Sequence, residues 1–309
     1  MHIELIKRSI EIQRFLATGT SADFPQHLID FIWNSVKDKH EEVKKAIYEN
    51  IIELAPCLDL ESAQKMFDKF LEVKIENYDE DFIDLIGRFT QKGLRLIVVK
   101  TKDDNIQVNE AITRQENPQF FGVSLMFNLI MDDNPLNTFL SHRVLVYLQE
   151  IISEYPAVQI FLPIVEQCLT NLENDVSIYQ SLVIMREYLT KMQSVLCYQQ
   201  TCEDYFQKFQ EKHNIIDYLT KNIQSYWQKV RLRVQAIKSS RKAGNNGLSE
   251  ALQKECFIGK FSHEHNIYQR IDALRYFIVH PYLTTSLSIE QLQQLWNVFV
   301  KEPNFQFET

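Results

Sequence analysis

Glycine is scarce in this chain, and that scarcity limits the folds it can adopt. Only seven of the 309 residues are glycine, roughly a third of the usual share of about 7%. Phosphate-binding loops, tight hairpins and the corners of β-barrels all use glycine, because its backbone reaches conformations that other residues avoid. The count disfavours a dinucleotide-binding enzyme, a P-loop enzyme and an all-β protein.

Apolar residues recur at intervals of three and four along most of the chain, which indicates amphipathic helices. The hydrophobic share of 45% and the charged share of 24% are typical of a folded protein. Three helices are predicted before Pro56. Those that follow are predicted at 60–73, 80–91, 119–131, 136–154, 157–173, 177–198, 202–240, 263–279 and 288–301. A turn is predicted at His213-Asn214 inside the longest of these, and a capping box at Ser288 and Gln291.

The helices are predicted to form degenerate repeats. Three of them carry a similar local sequence, namely Ile32-Trp33-Asn34, Met126-Phe127-Asn128 and Leu295-Trp296-Asn297. We expect the three aromatic residues at their centres to be core residues of equivalent helices. Since armadillo and HEAT repeats need only bury one face on a neighbour, they tolerate unequal spacing. The predicted fold is an all-α, armadillo- or HEAT-like helical repeat solenoid.

Three regions are predicted along the chain. Residues 1–93 form N-terminal helical repeats that end at Lys92-Gly93. Residues 94–118 form a connector in which no helical period is sustained. Residues 119–309 form C-terminal helical repeats, interrupted by a surface loop at 239–249.

The overall charge is acidic, with a net charge of −8 and a pI near 5.6. Phosphate backbones and anionic lipid surfaces repel such a chain, so we expect no nucleic-acid partner and no membrane partner. No apolar run approaches the ~18 to 20 residues that a membrane-spanning helix needs. The five cysteines are odd in number and lack CxxC spacing, which is typical of a reducing compartment. The predicted location is the cytoplasm.

No catalytic, cofactor or metal site is predicted. A nucleophilic cysteine needs a nearby base and an electropositive setting, and none of the five cysteines has such a local sequence. They are Cys57, Cys168, Cys197, Cys202 and Cys256. His263 and His265 are two residues apart, so on a helix they point to different faces and cannot jointly hold one metal ion. The acidic run Asp79–Asp81 is predicted to stabilise the start of its helix.

One segment is strongly basic. Seven basic residues and no acidic residue lie between positions 221 and 242, namely Lys221, Lys229, Arg231, Arg233, Lys238, Arg241 and Lys242. Tyr226 and Trp227 lie among them, a mixture found in surfaces that bind nucleic acids or phosphoinositides. A solvated face that docks against the acidic bulk of the same chain, or against the rest of a larger protein, explains the same charges. We favour this second interpretation because the remainder of the chain carries −15. These seven residues are the candidate partner-binding patch.

Six stretches of the chain, taken in order, resemble one known family. They are 27–55 (HLIDFIWNSVKDKHEEVKKAIYENIIELA), 60–70, 81–89, 125–135, 261–278 (FSHEHNIYQRIDALRYFI) and 293–296. In this order they resemble the long helical region that precedes the protease domain of the giant ubiquitin-specific proteases of the fat facets type. Phe127 stands where that family usually has tryptophan.

The resemblance implies a helical scaffold segment of a large cysteine-type deubiquitinase, a ubiquitin carboxyl-terminal hydrolase. The family's cysteine box and histidine box have no counterpart here, so the resemblance assigns no catalytic residue to this chain. It implies protein partners: ubiquitinated substrates, components of the ubiquitin pathway, or the protease domain of the same protein. The alternative is a free-standing armadillo-like adaptor that binds proteins and is unrelated to ubiquitin. An independent enzyme is disfavoured.

Overall fold

The chain folds into helices joined by turns, with one short pair of strands among the residues described. The structure, a computed structural model, describes residues 26–37, 39–100, 106–108, 122–194, 214–242, 244, 263–279 and 287–297, and the single positions 8, 12, 203, 204 and 207. Of the helix predicted near the start of the chain, only positions 8 and 12 are described, and Cys197, Cys202 and Cys256 lie outside the described residues. The chain divides into two compact units, Met1–Val176 and Ser177–Thr309.

The first unit contains seven helices in its described part. These are α1 (Gln26–Asn34), α2 (Glu41–Leu54), α3 (Leu60–Leu71), α4 (Glu80–Ile97), α5 (Val123–Ile130), α6 (Thr138–Glu154) and α7 (Val158–Glu173). Single 3-10 turns at Ala55–Cys57 and Ile75–Asn77 connect α2 to α3 and α3 to α4. Two short strands, β1 (Val98–Lys100) and β2 (Ile106–Val108), pair in antiparallel fashion after α4.

Side-chain caps fix the starts of three helices in this unit. Asp59 accepts a hydrogen bond from the backbone N–H of Ser62 at 2.8 Å and so begins α3. Asp79 does the same for α4, and Asn137 does it for α6. Each cap satisfies a backbone donor that has no partner within its own helix. The predicted role of the Asp79–Asp81 run as a helix start is confirmed.

Helix α4 is the centre of the first unit. It packs against α2, α3 and α6, and its buried residues lie on one side of the helix, as expected for an amphipathic helix. An aromatic cluster forms where α1, α3 and α4 meet. The ring of Phe70 lies 5.5 Å from that of Trp33, 6.1 Å from that of Phe82 and 5.1 Å from that of Phe89, measured between centroids.

Helix α4 extends further than its sequence predicts. Its predicted end at Lys92-Gly93 is wrong, because the helix continues to Ile97 and Gly93 is buried inside it. Leu94 and Ile97 continue the apolar period and are buried, and this burial outweighs the weak helix propensity of glycine. α4 therefore extends into the predicted connector 94–118, and it packs with α6, which lies after that connector. The three-part division of the chain stays a prediction.

The second unit contains four helices in its described part. These are α8 (Ile178–Ser194), α9 (Ile215–Lys242), α10 (His263–Val279) and α11 (Ile289–Trp296). Helix α10 packs against both α8 and α9, and α9 also packs against α11. Arg186 of α8 and Asp272 of α10 form an ion pair at 3.2 Å. The all-α fold class predicted from the helical periods is confirmed.

Two local predictions in this unit are confirmed. Asn214, at the predicted turn, has a left-handed backbone conformation with φ of 40°, and α9 begins at the next residue. Ser288 and Gln291 form the predicted capping box, because each side chain bonds to the backbone N–H of the other residue.

Two further predictions need correction. The surface loop predicted at 239–249 begins later, since α9 continues through Lys242; apart from Gly244, the rest of that loop lies outside the described residues. Trp296 is not a core residue, because 56% of its surface is exposed. Trp33 and Phe127 are buried as predicted. Trp296 lies on the side of α11 that also exposes Ile289 and Leu292.

Candidate functional site

The basic segment predicted as a partner-binding patch lies on α9. Lys221, Lys229, Lys238 and Lys242 are exposed and Arg231 is half-buried, whereas the side chains of Arg233 and Arg241 lie outside the described residues. Because an α-helix turns by about 100° per residue, Arg231, Lys238 and Lys242 share one flank of α9. Lys229 projects from the opposite flank. The structure therefore distributes these cations around the exposed side of the helix.

Tyr226, one of the two aromatic residues in this segment, contacts a cation of its own chain. The guanidinium of Arg270 on α10 lies over the ring of Tyr226, 4.2 Å from its centroid. Arg270 is buried and also donates hydrogen bonds to the side chain of Asn222 at 2.9 Å and to the carbonyl of Asn266 at 2.8 Å. Tyr226 thus holds a cation of its own chain, which disfavours the interpretation of the segment as a stacking surface for nucleic-acid bases.

Helix α11 presents an apolar stripe to solvent. Ile289 is 82% exposed, Leu292 is 51% exposed and Trp296 projects from the same face, since residues at spacings of three, four and seven align along a helix. Gln291, Gln294 and Leu295 are less exposed than these three residues. We call Ile289, Leu292 and Trp296 the α11 stripe. The sequence did not predict this exposed stripe, because the same helical period predicts a buried face.

A charged cleft of about 330 Å³ lies between α2, α4 and α6 in the first unit. It is lined by Glu41, Lys44, Lys45, Tyr48, Asp79, Glu80, Asp81, Asp84 and Arg143. Sequence reasoning did not predict this cleft. The sequence feature that corresponds to this cleft is a complementary order of charges on α2 and α4. Lys45 pairs with Asp81, Glu49 with Arg88, and Glu53 with Lys92.

The charges of this cleft are paired with one another. Lys45 contacts Asp81 at 2.9 Å, and Arg143 of α6 contacts both Glu80, at 2.6 Å, and Asp84. The hydrogen bond to Asp84 raises the pKa of Arg143. Exposed pairs of this kind contribute about 0 to 1 kcal/mol each. The cleft is therefore a set of interhelix ion pairs that aligns α2, α4 and α6.

Tyr48 lines the cleft, and its raised pKa makes the stability of the folded protein depend on pH in the alkaline range. Burial, followed by the charges of Asp79 and Asp81, raises the pKa of Tyr48 to about 12. The folded protein favours the neutral phenol, so this contribution to stability is complete below the unfolded pKa of about 10 and is lost as pH rises toward 12. We expect Tyr48→Phe to make the alkaline fall in the free energy of unfolding shallower, measured by urea denaturation at a series of pH values.

The tyrosinate absorbance provides the control for this prediction. The difference between the wild-type and Tyr48→Phe absorbance should titrate with a pKa of about 12. A difference that titrates near 10, the ordinary tyrosine value, would contradict it.

The described residues contain no group of three or more histidine, cysteine, aspartate or glutamate side chains placed to hold a metal ion. Cys168 is buried on α7, and Cys57 is half-buried in the turn after α2. The buried position of Cys168 suits a small apolar filler.

Comparison with known families decides what these helices belong to. The family model described as the UBP24/USP9X/USP9Y ARM repeat matches residues 123–309, from the start of α5 beyond the end of α11. The chain belongs to this ARM repeat family. The match covers the resembling stretches at 125–135, 261–278 and 293–296, whereas those between 27 and 89 precede it.

Membership identifies the helices from α5 to α11 as part of an armadillo-like repeat region, as the sequence predicted. The chain is thus a helical segment of the kind found in USP9X-type ubiquitin-specific proteases. The curated proteins and the solved structures contained no match to this chain. In the part of the chain that the structure describes, no helix has the length and apolar character to cross a membrane.

Proposed function

We propose that this ARM repeat chain is a non-catalytic scaffold of a large cysteine-type deubiquitinase that binds other proteins. Its partners are ubiquitinated substrates, components of the ubiquitin pathway or the protease domain of the same protein, and it acts in the cytoplasm. The observation that carries this proposal is the match of the ARM repeat model to residues 123–309. Stacked helical repeats bind partners along extended surfaces built from several repeats.

The basic patch on α9 supports a protein partner of acidic character. Surface charges of one sign raise the rate of association with a partner of the opposite sign, and salt screens this effect. Lys229 and Lys242 are exposed, and α9 carries no acidic residue after Asp217. A ubiquitin-pathway protein with an acidic surface fits this charge pattern.

A pull-down with purified components tests the proposal. We expect the immobilised chain to retain ubiquitin-conjugated proteins or the protease domain of a family member. Because the patch steers association, the double variant Lys229→Glu/Lys242→Glu should reduce retention by about tenfold at low ionic strength. The chain alone should leave a fluorogenic ubiquitin substrate uncleaved, because none of its cysteines has the local sequence of an activated thiol.

The double variant Lys39→Glu/Lys74→Glu is the matched control, because it changes the net charge equally at two exposed lysines of the first unit. It should leave retention unchanged. Retention of no ubiquitin-pathway component by the wild-type chain would instead support the unrelated adaptor. Cleavage of the ubiquitin substrate, lost when one cysteine is replaced by alanine, would contradict the non-catalytic role.

A further inference from the structure

The α11 stripe is oriented opposite to the usual arrangement of a surface helix. An amphipathic helix normally turns its apolar face to the core and its polar face to water. In α11 the three residues of the stripe are exposed together with Glu290 and Gln293, whereas Gln291, Gln294 and Leu295 are less accessible. The capping box at Ser288 fixes where the helix begins. An apolar face held outward in this way marks an interaction surface.

The size and composition of the stripe match the binding site for a helix. Its first and last residues are seven steps apart, which is about 10 Å along the helix axis at 1.5 Å per residue, or two turns of a partner helix. Trp296 is a large anchor, and tryptophan is enriched among the residues that dominate binding energy at protein interfaces. Apolar side chains spaced three, four and seven residues apart on a partner helix would lie along this stripe.

The positive charge of α9, the helix beside α11, favours a partner of negative charge. Helix α11 packs on α9, whose segment from Lys221 to Lys242 carries seven basic residues and no acidic one. Leu232, also on α9, is 65% exposed and adds apolar surface on that helix. A partner helix lying on α11 therefore enters the positive field of α9, and acidic residues on it are favoured there.

We propose that the α11 stripe, together with the adjoining basic helix α9, binds an acidic amphipathic helix of a partner protein. The inference rests on the proposed protein-binding function and specifies the chemistry of one partner. The partner helix places leucine-like side chains on Ile289, Leu292 and Trp296, and it directs aspartates or glutamates toward α9. A second copy of this chain is disfavoured, because a two-fold contact through the stripe would bring two basic α9 helices together.

A designed peptide probes this surface directly. The probe is a fluorescein-labelled helix of about four turns with leucines along one face and glutamates on both flanks. Its control replaces every glutamate with lysine. We expect the complete 309-residue chain to bind the glutamate peptide, with an affinity that falls as salt rises, and not to bind the lysine peptide. Trp296→Ala should weaken binding at least about tenfold, as expected for an aromatic anchor.

Phe31→Ala is the matched control variant, because Phe31 on α1 is an aromatic residue that is 65% exposed. It should leave the peptide affinity unchanged. Denaturation curves of both variants should superimpose on that of the wild-type chain, since exposed side chains contribute little to stability. This comparison separates loss of an anchor from loss of fold.

Several results would overturn the inference. Equal binding of the two peptides would exclude charge selection by α9, and unchanged binding by Trp296→Ala would exclude the stripe. Self-association in sedimentation that Trp296→Ala abolishes, without peptide binding, would assign the stripe to a second copy. Binding to phosphatidylserine vesicles in place of the peptide would assign it to a membrane surface.

The pull-down described above keeps the two proposals distinguishable. If the wild-type and Trp296→Ala chains retain the same ubiquitin-pathway proteins while the peptide does not bind, the inference fails and the proposed function stands. If the peptide binds through Trp296 but no ubiquitin-pathway component is retained, the proposed function fails and the stripe remains a docking site for acidic helices.

Discussion

Replacing Phe70 with alanine is expected to lower the free energy of unfolding of the first unit by about 3 to 5 kcal/mol. Phe70 is fully buried on α3, and its ring contacts aromatic rings of α1 and α4 as well as Phe67 of its own helix. Truncation removes buried apolar surface and leaves a cavity that rigid neighbouring rings cannot fill. Urea denaturation followed by circular dichroism measures the loss.

Phe70→Leu is the control, because it keeps most of the apolar volume and should cost clearly less than Phe70→Ala. Leu71→Ala is a second control at the next position, where the side chain is exposed. It should change the free energy of unfolding by at most about 0.5 kcal/mol. A small loss for Phe70→Ala would mean that this cluster does not form the core of the first unit.

The sequence predicts the existence of these helices well, because a helix is recognisable from its own local period. The prediction of 263–279 coincides with α10. The end of α4 was predicted wrongly because it depends on distant residues. Gly93 reads as a stop signal in sequence, yet the packing of α4 buries Leu94 and Ile97 and extends the helix beyond it.

Burial is harder to predict than helix formation, as two tryptophans show. Trp33 and Trp296 have almost the same local sequence, an aliphatic residue before and asparagine after. Trp33 meets Phe70 from α3 and Phe82 from α4, whereas Trp296 faces solvent. The difference lies in which neighbouring helices cover the face, and a helical period alone does not contain that information.

The basic segment shows the same limit at the candidate site. Its charges can be counted in the sequence, but the direction of each side chain depends on how α9 packs. Tyr226 reads as a companion of the exposed cations, yet it packs under Arg270, a residue 44 positions further along the chain. That contact was not predictable, because Arg270 lies in a separate helix with no fixed spacing from α9.

Gly122→Ala is the second substitution for which we expect a large loss in the free energy of unfolding. Gly122 begins α5 with a left-handed backbone, φ of 112°, and a Cβ there would lie 2.5 Å from Oγ1 of Thr90 and 2.8 Å from the ring of Phe67. A side chain in this conformation costs about 1 to 2 kcal/mol. Overlap with buried neighbours adds about 1 to 3 kcal/mol. We expect a total loss of about 2 to 5 kcal/mol in urea denaturation.

Gly244→Ala separates the two causes of this loss. Gly244 also has a left-handed backbone, with φ of 75°, but a Cβ there would meet no atom within 4 Å. Its variant should therefore show only the backbone cost, at most about 1 to 2 kcal/mol. If both variants lose the same free energy, the close packing of α3 and α4 around Gly122 does not constrain that position. If Gly122→Ala loses more, as we expect, then the junction of α5 with these helices requires a residue without a side chain. The few glycines of this helical chain would then include one whose role is to let three helices meet.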